Sequence, residues 1–396
     1  MSKIKLNFKN LFFMIIIYFL IFQDLLQTIV SIFKYLDELL AMSALFLVPV
    51  FIIKRKKIKK NDAYLIIMLA LLNIVGFVSN DKSKLQPFKV ILTDCLLINK
   101  FFLVYLLFSC LNEKNDLIEK DKLKQHVKLI IIILLFLTIL NEIFKIFPYT
   151  MRYGLISNQL FYSHPSILAA MMNVLLILYL YLTDLKTNFA KDSIYVIACI
   201  LVIASTLRAK ALAFCVVFLV LMYYIKTKDK KISFSKLGIL GILAFIVGFN
   251  QIEFYFGTTK DSARASLLRT AIRISKEFFP IGTGFATFGS YMAAANYSSL
   301  YYKYGLNEVY GLEKGGNFLS DSFWPMILGQ FGVLGCILYV LLIVCIFRKI
   351  QNAYRKNEKN KYLAKLGIFL YLLIASTSES TFVNSYAIPM AIILGV

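Results

Sequence analysis

Basic side chains outside the apolar runs are the clearest chemical feature of this sequence. The eight considered as ligands lie away from the lysine-rich clusters of the chain and are Arg152, His164, Arg208, Lys210, Arg264, Arg269, Arg273 and Lys276. Guanidinium and ammonium groups bind anions, and the planar guanidinium fits two phosphate oxygens at once. Arg208 follows Ser-Thr-Leu at the junction of two apolar runs, where the chain must turn. The pattern predicts an anionic ligand, with loop carboxylates or lipid headgroups as the alternative partners of these cations.

A polar segment rich in glycine and tyrosine follows these cations. PIGTG at 280–284 is a rigid turn in which Gly282 and Gly284 can adopt positive φ. Such a turn either presents backbone N–H groups to an anion or ends the preceding helix. Downstream lie Tyr301, Tyr302 and Tyr304, whose rings and hydroxyls suit sugar faces and edges. Tyrosine is also common at membrane interfaces, so both interpretations stay open.

Two residues next to apolar runs could transfer or accept protons. Asp321 precedes the run that begins at Phe323, and its carboxylate either caps that helix or accepts a proton from a hydroxyl group. His164 precedes Pro165 at the start of another run, and it either caps the helix or binds a ligand. Glu379 is a further carboxylate expected at the same boundary.

The elements that must position these residues are transmembrane helices. Hydrophobic residues make up 59% of the 396-residue chain, and 35 of them are phenylalanine. About 20 apolar residues in a helix cross the roughly 30 Å of membrane hydrocarbon. We therefore predict one all-α, polytopic bundle with about twelve spans. They lie near 11–31, 38–53, 63–80, 88–110, 127–147, 165–183, 192–207, 209–226, 234–251, 323–347, 362–378 and 380–396.

The distribution of basic clusters predicts the topology. Clusters at 54–57, 114–128, 226–236 and 348–365 fall on alternate connections, as do the lysines near the amino terminus. By the positive-inside rule these segments, and both termini, are cytoplasmic. Residues 252–322 then form a large extracytoplasmic loop of about 70 residues, far longer than the usual connection of a few residues. We expect the functional site in this loop.

Short amphipathic helices are expected within the large loop. Residues 262–279 have helical periodicity, with Leu268, Ile272 and Phe279 on one stripe and the basic residues of the segment on another. This pattern predicts a helix that lies on the membrane surface.

Several functional classes are disfavoured. The chain has no P-loop, zinc signature, Ser-His-Asp order or DxD carboxylate pair. Its six cysteines lie in or beside apolar runs without CxxC spacing, so neither disulfides, a metal nor a cofactor is expected. The net charge of +22 comes largely from the cytoplasmic clusters, so it does not indicate nucleic-acid binding.

Four ionisable residues lie within or near the predicted spans: Asp24, Asp94, Lys100 and Glu142. Residues of this kind are either functional or paired inside the bundle, because an isolated charge in hydrocarbon is costly.

Taken together, these residues resemble the O-antigen ligase and Wzy-type polymerase superfamily, most closely its Gram-positive capsular and exopolysaccharide polymerases. The resemblance covers roughly 152–335. It is carried by STLR at 205–208, SAR at 262–264, PIGTGFATFGSY at 280–291, YYKYGL at 301–306 and FLSDSFWPMILGQFGVLG at 318–335. Many ligases of the superfamily have histidine where this chain has Asp321, and an acidic residue where it has Gln330.

The resemblance implies a substrate and a set of roles. The donor would be an oligosaccharide linked to undecaprenyl pyrophosphate in the bacterial plasma membrane. Arg208 and Arg264, helped by Arg273, would hold the pyrophosphate, and Asp321 would replace histidine as the base. Membrane lipid, a flippase and a chain-length regulator are the implied partners.

The resulting prediction is a metal-independent glycosyltransferase that polymerises lipid-linked repeat units. One alternative is a ligase that transfers a finished glycan to a final acceptor. Another is a flippase for lipid-linked glycans, for which an internal repeat and a charged path across the bundle would be expected. We find no internal repeat in the sequence.

The predicted topology can be tested by cysteine labelling of intact cells, in a background without the six native cysteines. Asn317→Cys should react with an impermeant maleimide because the large loop is external. Lys57→Cys should stay protected until the cells are permeabilised. The reverse pattern would overturn the topology.

Overall fold

A computed structural model of the protein describes residues 8–55, 58–112, 120–183, 189–228, 262–355 and 358–396. This part of the chain is mainly α-helical, as predicted, with one two-stranded β-hairpin that the sequence analysis did not anticipate. The elements are α1 (Phe8–Ile21), α2 (Gln23–Ile29), α3 (Leu36–Arg55), α4 (Lys60–Ser83), α5 (Phe88–Leu111), α6 (Lys120–Phe144), β1 (Tyr149–Arg152), β2 (Leu155–Asn158), α7 (Pro165–Leu182), α8 (Phe189–Ser205), α9 (Ala209–Lys228), α10 (Ala263–Glu277), α11 (Tyr291–Ala295), α12 (Ser299–Lys303), α13 (Phe323–Arg355), α14 (Lys359–Ser376) and α15 (Ala387–Gly395).

The chain is a multi-pass membrane protein. Six of the described helices are long and apolar enough to cross a membrane, and α1 and α2 would add a seventh span if they act as one segment bent by 77°. The twelve predicted spans are not confirmed. The apolar stretches of α8 and α9 are shorter, and the span predicted at 234–251 lies outside the described residues. The predicted last span, 380–396, contains α15, whose nine residues measure only about 14 Å.

Two helices form the centre of the bundle. Almost every side chain of α7 is buried, as are most of those in the second half of α5. Apolar side chains cover nearly all sides of α7 and of the part of α5 after Lys100, which is the pattern of helices surrounded by other helices. Helix α5 packs against α3 and α15, α4 packs against α13, and α7 contacts α6, α8 and α14.

Helix α13 is broken near its N-terminal end, and the PIGTG segment is inserted at the break. Gly332 has non-helical backbone angles, φ 63° and ψ −164°. The break frees carbonyl groups that an intact helix would use internally. The N–H groups of Thr283 and Gly284 donate to the carbonyls of Gly329 and Gln330, at N–O distances of 3.1 and 2.7 Å.

The hydrogen bonds of PIGTG correct one prediction. Leu334, beyond the break, donates its N–H to the carbonyl of Pro280 at 3.1 Å, and Gly282 donates to Phe278 at 3.1 Å. The N–H groups of Gly282 and Gly284 are thus used inside the protein, and the expected anion contact through them is wrong for this conformation. The two glycines are needed instead for close packing at positive φ.

The same segment is fixed to α4. Asn80 forms two hydrogen bonds with the backbone of Phe285, accepting its N–H at 2.8 Å and donating to its carbonyl at 2.9 Å. Ser83 donates to the carbonyl of Thr283 at 2.7 Å. The end of α4, the break in α13 and the start of the glycine-rich segment therefore form one unit.

The described part of the large loop, 262–322, has a core of its own. Helix α10 contributes Leu267, Ala271 and Ile274 to it and packs on α13. The helix is confirmed, and its buried stripe is one that the sequence analysis did not single out. Ile272 and Phe279, on the stripe predicted to lie on the membrane surface, are exposed, because the neighbouring stripe faces this core. The basic residues Arg269, Arg273 and Lys276 are exposed, as expected.

Gly282→Ala should destabilise the protein far more than Gly305→Ala. The two glycines have nearly the same φ, 70° and 69°, so the backbone cost of about 1–2 kcal/mol is shared. A Cβ at Gly282 would lie 2.6 Å from the Gly329 carbonyl oxygen, whereas one at Gly305 meets no atom within 4 Å. Thermal unfolding of the two variants in detergent measures the difference. Equal losses of stability would show that PIGTG does not pack at the break.

Candidate functional site

His164 is held at the start of α7 from two sides. Its Nδ1 accepts the N–H of Ser166 at 3.2 Å, so it caps the helix. The preceding residue, Ser163, donates both its N–H and its hydroxyl to Asp24 Oδ2, each at 2.8 Å. Asp24 lies in α2, directly after the bend that follows α1. The bend therefore places a carboxylate that positions His164.

Arg208 lies beside His164, at the tight turn between α8 and α9. Leu207 has a φ of 50° in this turn, and the Arg208 Nη2 atom is 3.4 Å from His164 Nε2. Burial, followed by the charges of Arg208 and Lys210, lowers the pKa of His164 to about 4, so the ring is neutral at pH 7. Because Nδ1 accepts the capping bond, the ring proton belongs on Nε2. The Nε2–H and the guanidinium are then two adjacent donors that suit a common acceptor.

Lys210, at the start of α9, forms an ion pair with Glu379. Glu379 lies in the connection between α14 and α15, and its Oε2 also accepts the hydroxyl proton of Tyr386 at 2.7 Å. Both charged side chains are largely buried. The sequence analysis missed Tyr386, because a tyrosine seven residues after a carboxylate carries no recognisable signal.

Arg264 and Asp321 form the second ion pair of the site. Arg264 Nη2 donates to Asp321 Oδ2 at 2.8 Å, and about a third of the Asp321 side chain is exposed. Ser262 caps the helix that presents Arg264, and Ser380 binds the carbonyl of Ser320 at 2.7 Å. The Asp321 carboxylate therefore binds an arginine, in place of the helix cap that was one of its two predicted roles.

Arg152 reaches the same region from the β-hairpin. Ser157, on β2, donates to the carbonyl of Thr206 at 2.7 Å, which ties the hairpin to the turn between α8 and α9. Arg152 is near enough to His164 for its charge to act on that ring. Its guanidinium lies 5.1 Å from the ring centroid of Tyr153.

These contacts bring together side chains from five separate parts of the sequence. The basic cluster, as we call it, consists of Arg152, His164, Arg208, Lys210, Arg264, Asp321 and Glu379. Counted as formal charges, with His164 neutral, the four cations and two carboxylates sum to +2. A diester of pyrophosphate carries about two negative charges and would neutralise the basic cluster.

The helix ends in the basic cluster agree with the predicted alternation of the spans. They are the starts of α7, α9, α10 and α13 and the end of α14, all predicted to lie on one side. Lys349 pairs with Asp62 at 2.7 Å, which joins the far half of α13 to the start of α4 at the other side. The relative placement of these helix ends is therefore consistent with the topology.

Two of the predicted anion ligands contact other groups. Arg269 Nη2 lies 3.3 Å from the hydroxyl of Ser266. Arg273 lies nine residues after Arg264, about 13 Å along α10, and its guanidinium is 5.4 Å from the centroid of Tyr304. Arg273 therefore lies outside the basic cluster, and Arg269 contacts a residue of its own helix.

The tyrosines of the large loop have different environments. Tyr301 is fully buried, and its hydroxyl accepts the N–H of Gly289 at 3.0 Å, so its predicted contact with sugar is wrong for this conformation. Tyr304 donates its hydroxyl to Glu277 at 2.5 Å. Tyr302 is exposed, with one ring edge against Tyr297. Among the three predicted sugar contacts, Tyr302 has the most accessible ring.

The ionisable residues near the spans have partners inside the protein. Asp94 accepts the N–H of Ala286 at 2.6 Å and lies 3.2 Å from the amide nitrogen of Gln330. Lys100 pairs with Asp37 in the core, as expected for buried charges in a membrane protein. Glu142 accepts the side-chain amide of Asn158 at 2.6 Å, which fixes β2 to α6. Asp94 therefore anchors the glycine-rich segment to α5.

The chain matches no known protein-family model, and no characterised protein shows significant similarity to it.

Proposed function

We propose that this protein is a glycosyltransferase of the bacterial plasma membrane that joins oligosaccharide repeat units carried on undecaprenyl pyrophosphate. The product would be a capsular or extracellular polysaccharide. The basic cluster is the observation that supports this proposal most strongly. It gathers four basic side chains and two carboxylates, with a formal net charge of +2, at one end of a membrane bundle.

In the proposed reaction, a hydroxyl oxygen of the acceptor sugar forms a bond to the anomeric carbon of the donor. The bond between that carbon and the phosphate oxygen breaks, and its electron pair stays on the undecaprenyl pyrophosphate. Arg208 and Arg264, with Arg152 and Lys210 beside them, stabilise the charge that develops on the leaving group. His164 contributes its Nε2–H as a neutral donor.

Asp321 is the proposed base for the acceptor hydroxyl. Arg264 holds Oδ2, and within the described residues no hydrogen bond is made to Oδ1. The same arginine would thus orient the base and contact the leaving group. Glu379 is the other carboxylate of the cluster, but Lys210 and Tyr386 both bind it.

The site is proposed to face the cell exterior, with both termini in the cytoplasm. This orientation rests on the alternation of basic segments. A ligase would use the same donor chemistry and differ in its acceptor. A flippase would move the donor without breaking the anomeric bond, so the three functions give different products.

Arg208→Ala should abolish polymer formation by purified protein in vesicles supplied with a defined undecaprenyl-pyrophosphate oligosaccharide. Arg208→Lys should remain at least about tenfold impaired, because lysine keeps the charge but loses the planar two-point contact with phosphate. Arg273→Ala is the control, since it removes an arginine of α10 that lies outside the basic cluster.

The products decide the function. Longer lipid-linked glycans support the polymerase, and transfer to an added acceptor alone supports a ligase. Movement of intact donor across the bilayer supports a flippase. Full activity of Arg208→Ala would remove this residue from the mechanism.

Asp321→Asn should lower turnover by roughly 10²- to 10⁴-fold, the usual contribution of a general base. Asparagine keeps an oxygen that can accept from Arg264 but cannot take up a proton at neutral pH. Glu277→Gln is the matched control, because it neutralises another ion-paired carboxylate of the same loop. Initial rates with saturating donor measure the effect. A near-normal rate for Asp321→Asn, with donor binding intact, would move the role of base to Glu379.

A further inference from the structure

The β-hairpin between α6 and α7 has an unusual tip. Strands β1 and β2 are antiparallel, and Arg152 pairs with Leu155 at the last rung. Tyr153 and Gly154 form the two-residue turn with φ values of 53° and 76°, as in a type I′ turn. Asparagine or aspartate is common at the first position, whereas a bulky side chain with positive φ is rare. A tyrosine at this position suggests a role for its ring.

The tip is exposed and apolar. The exposed fractions of Met151, Tyr153 and Leu155 are 62%, 75% and 60%. Transfer of apolar surface from water is favourable by about 25 cal/mol per Å², so three such side chains in water would be costly. Tyrosine is favoured at the membrane interface, where its ring is in apolar surroundings and its hydroxyl is hydrated.

The apolar surface continues from a membrane helix onto the hairpin. Helix α6 is a candidate span, and its outward side includes exposed Phe136, Ile139 and Ile143. Phe144 and Ile146 carry this surface past the end of the helix, with exposed fractions of 65% and 60%. Lipid covers the outward side of a spanning helix. The apolar surface of the hairpin continues from that side of α6, so lipid covers it as well.

We propose that the tip of the hairpin, residues 151–155, is inserted into the adjacent leaflet at the level of the lipid carbonyl groups. Its occupant is membrane lipid. Lys145 and Arg152 flank the apolar side chains, and both are long enough to reach the headgroups while their stems stay in apolar surroundings.

The insertion fixes the depth of the basic cluster. The hairpin is tied to the turn of Arg208 through Ser157 and Thr206, and it carries Arg152 on its last rung. The cluster then lies at headgroup level and is open to ligands that remain in the bilayer. On the proposed function, a lipid-linked donor would therefore approach the basic cluster from the side of the hairpin.

Depth-dependent quenching tests the insertion without any assay of activity. Trp324 is the single tryptophan of the chain, so Tyr153→Trp in a Trp324→Phe background gives one reporter at the tip. In vesicles, lipids brominated near the carbonyl end of the acyl chain should reduce its emission at least about twofold. Acrylamide in the buffer should have little effect. Tyr310→Trp in the same background is the control, because Tyr310 is 85% exposed in the large loop and should respond only to acrylamide.

Quenching of Tyr153→Trp by acrylamide and not by brominated lipid would overturn the proposal. The same result is expected if a protein partner, and not lipid, normally covers the tip. If Trp324→Phe does not fold, a nitroxide on Tyr153→Cys, with the native cysteines replaced, reports the same depth. Oxygen should then relax the nitroxide more than an aqueous nickel chelate does, and the opposite order would contradict insertion.

A kinetic measurement separates this proposal from the proposed function. Replacing Met151, Tyr153 and Leu155 by serine should raise KM for the lipid-linked donor about tenfold and leave kcat nearly unchanged. An unchanged KM would contradict the assignment of the donor's approach. If no variant or wild-type protein transfers sugar, the quenching result still decides whether the tip is inserted.

Discussion

The break in α13 at Gly332 is the feature on which the arrangement of the site depends. Carbonyl groups left free at a helix break inside a membrane protein must find other donors, because no water replaces them in hydrocarbon. Here Thr283 and Gly284 supply those donors, and Pro280 accepts in return. The exchange joins the large loop to the bundle. Arg264, before this junction, and Asp321, just ahead of α13, can then meet at 2.8 Å.

Buried carboxyl groups reinforce this arrangement at other points. An ionisable group inside the bilayer is costly unless hydrogen bonds or an opposite charge compensate for its burial. Asp24 binds Ser163 and thereby positions His164, while Asp94 binds the backbone of Ala286. Each carboxyl group lies on an apolar helix and holds a loop. The same residues that look unfavourable in a hydropathy profile therefore determine where these loops dock.

Ion pairs limit the repulsion between the cations of the basic cluster. Two of the four cations are paired with carboxylates. The neutral state of His164 has the same effect, since a further positive charge beside Arg208 would be destabilising. The pair with Asp321 also holds the guanidinium of Arg264 in one place. The proposed pyrophosphate contact would therefore need little reorganisation of this side chain.

Hydropathy, charge and helix starts are local properties, so they were enough to predict the membrane class and to select most members of the basic cluster. Arg208, Arg264 and Asp321 could be selected since few polar residues interrupt the apolar runs. The pairing of Arg264 with Asp321 could not be predicted from the sequence. These residues are 57 positions apart, and the break in α13 brings them together. The tertiary structure was needed to show that Gly282 and Tyr301 are packing residues. It was also needed to show that Leu267, and not Ile272, faces the core of the large loop. Periodicity defines the stripes of a helix, but the neighbouring elements determine which stripe is buried.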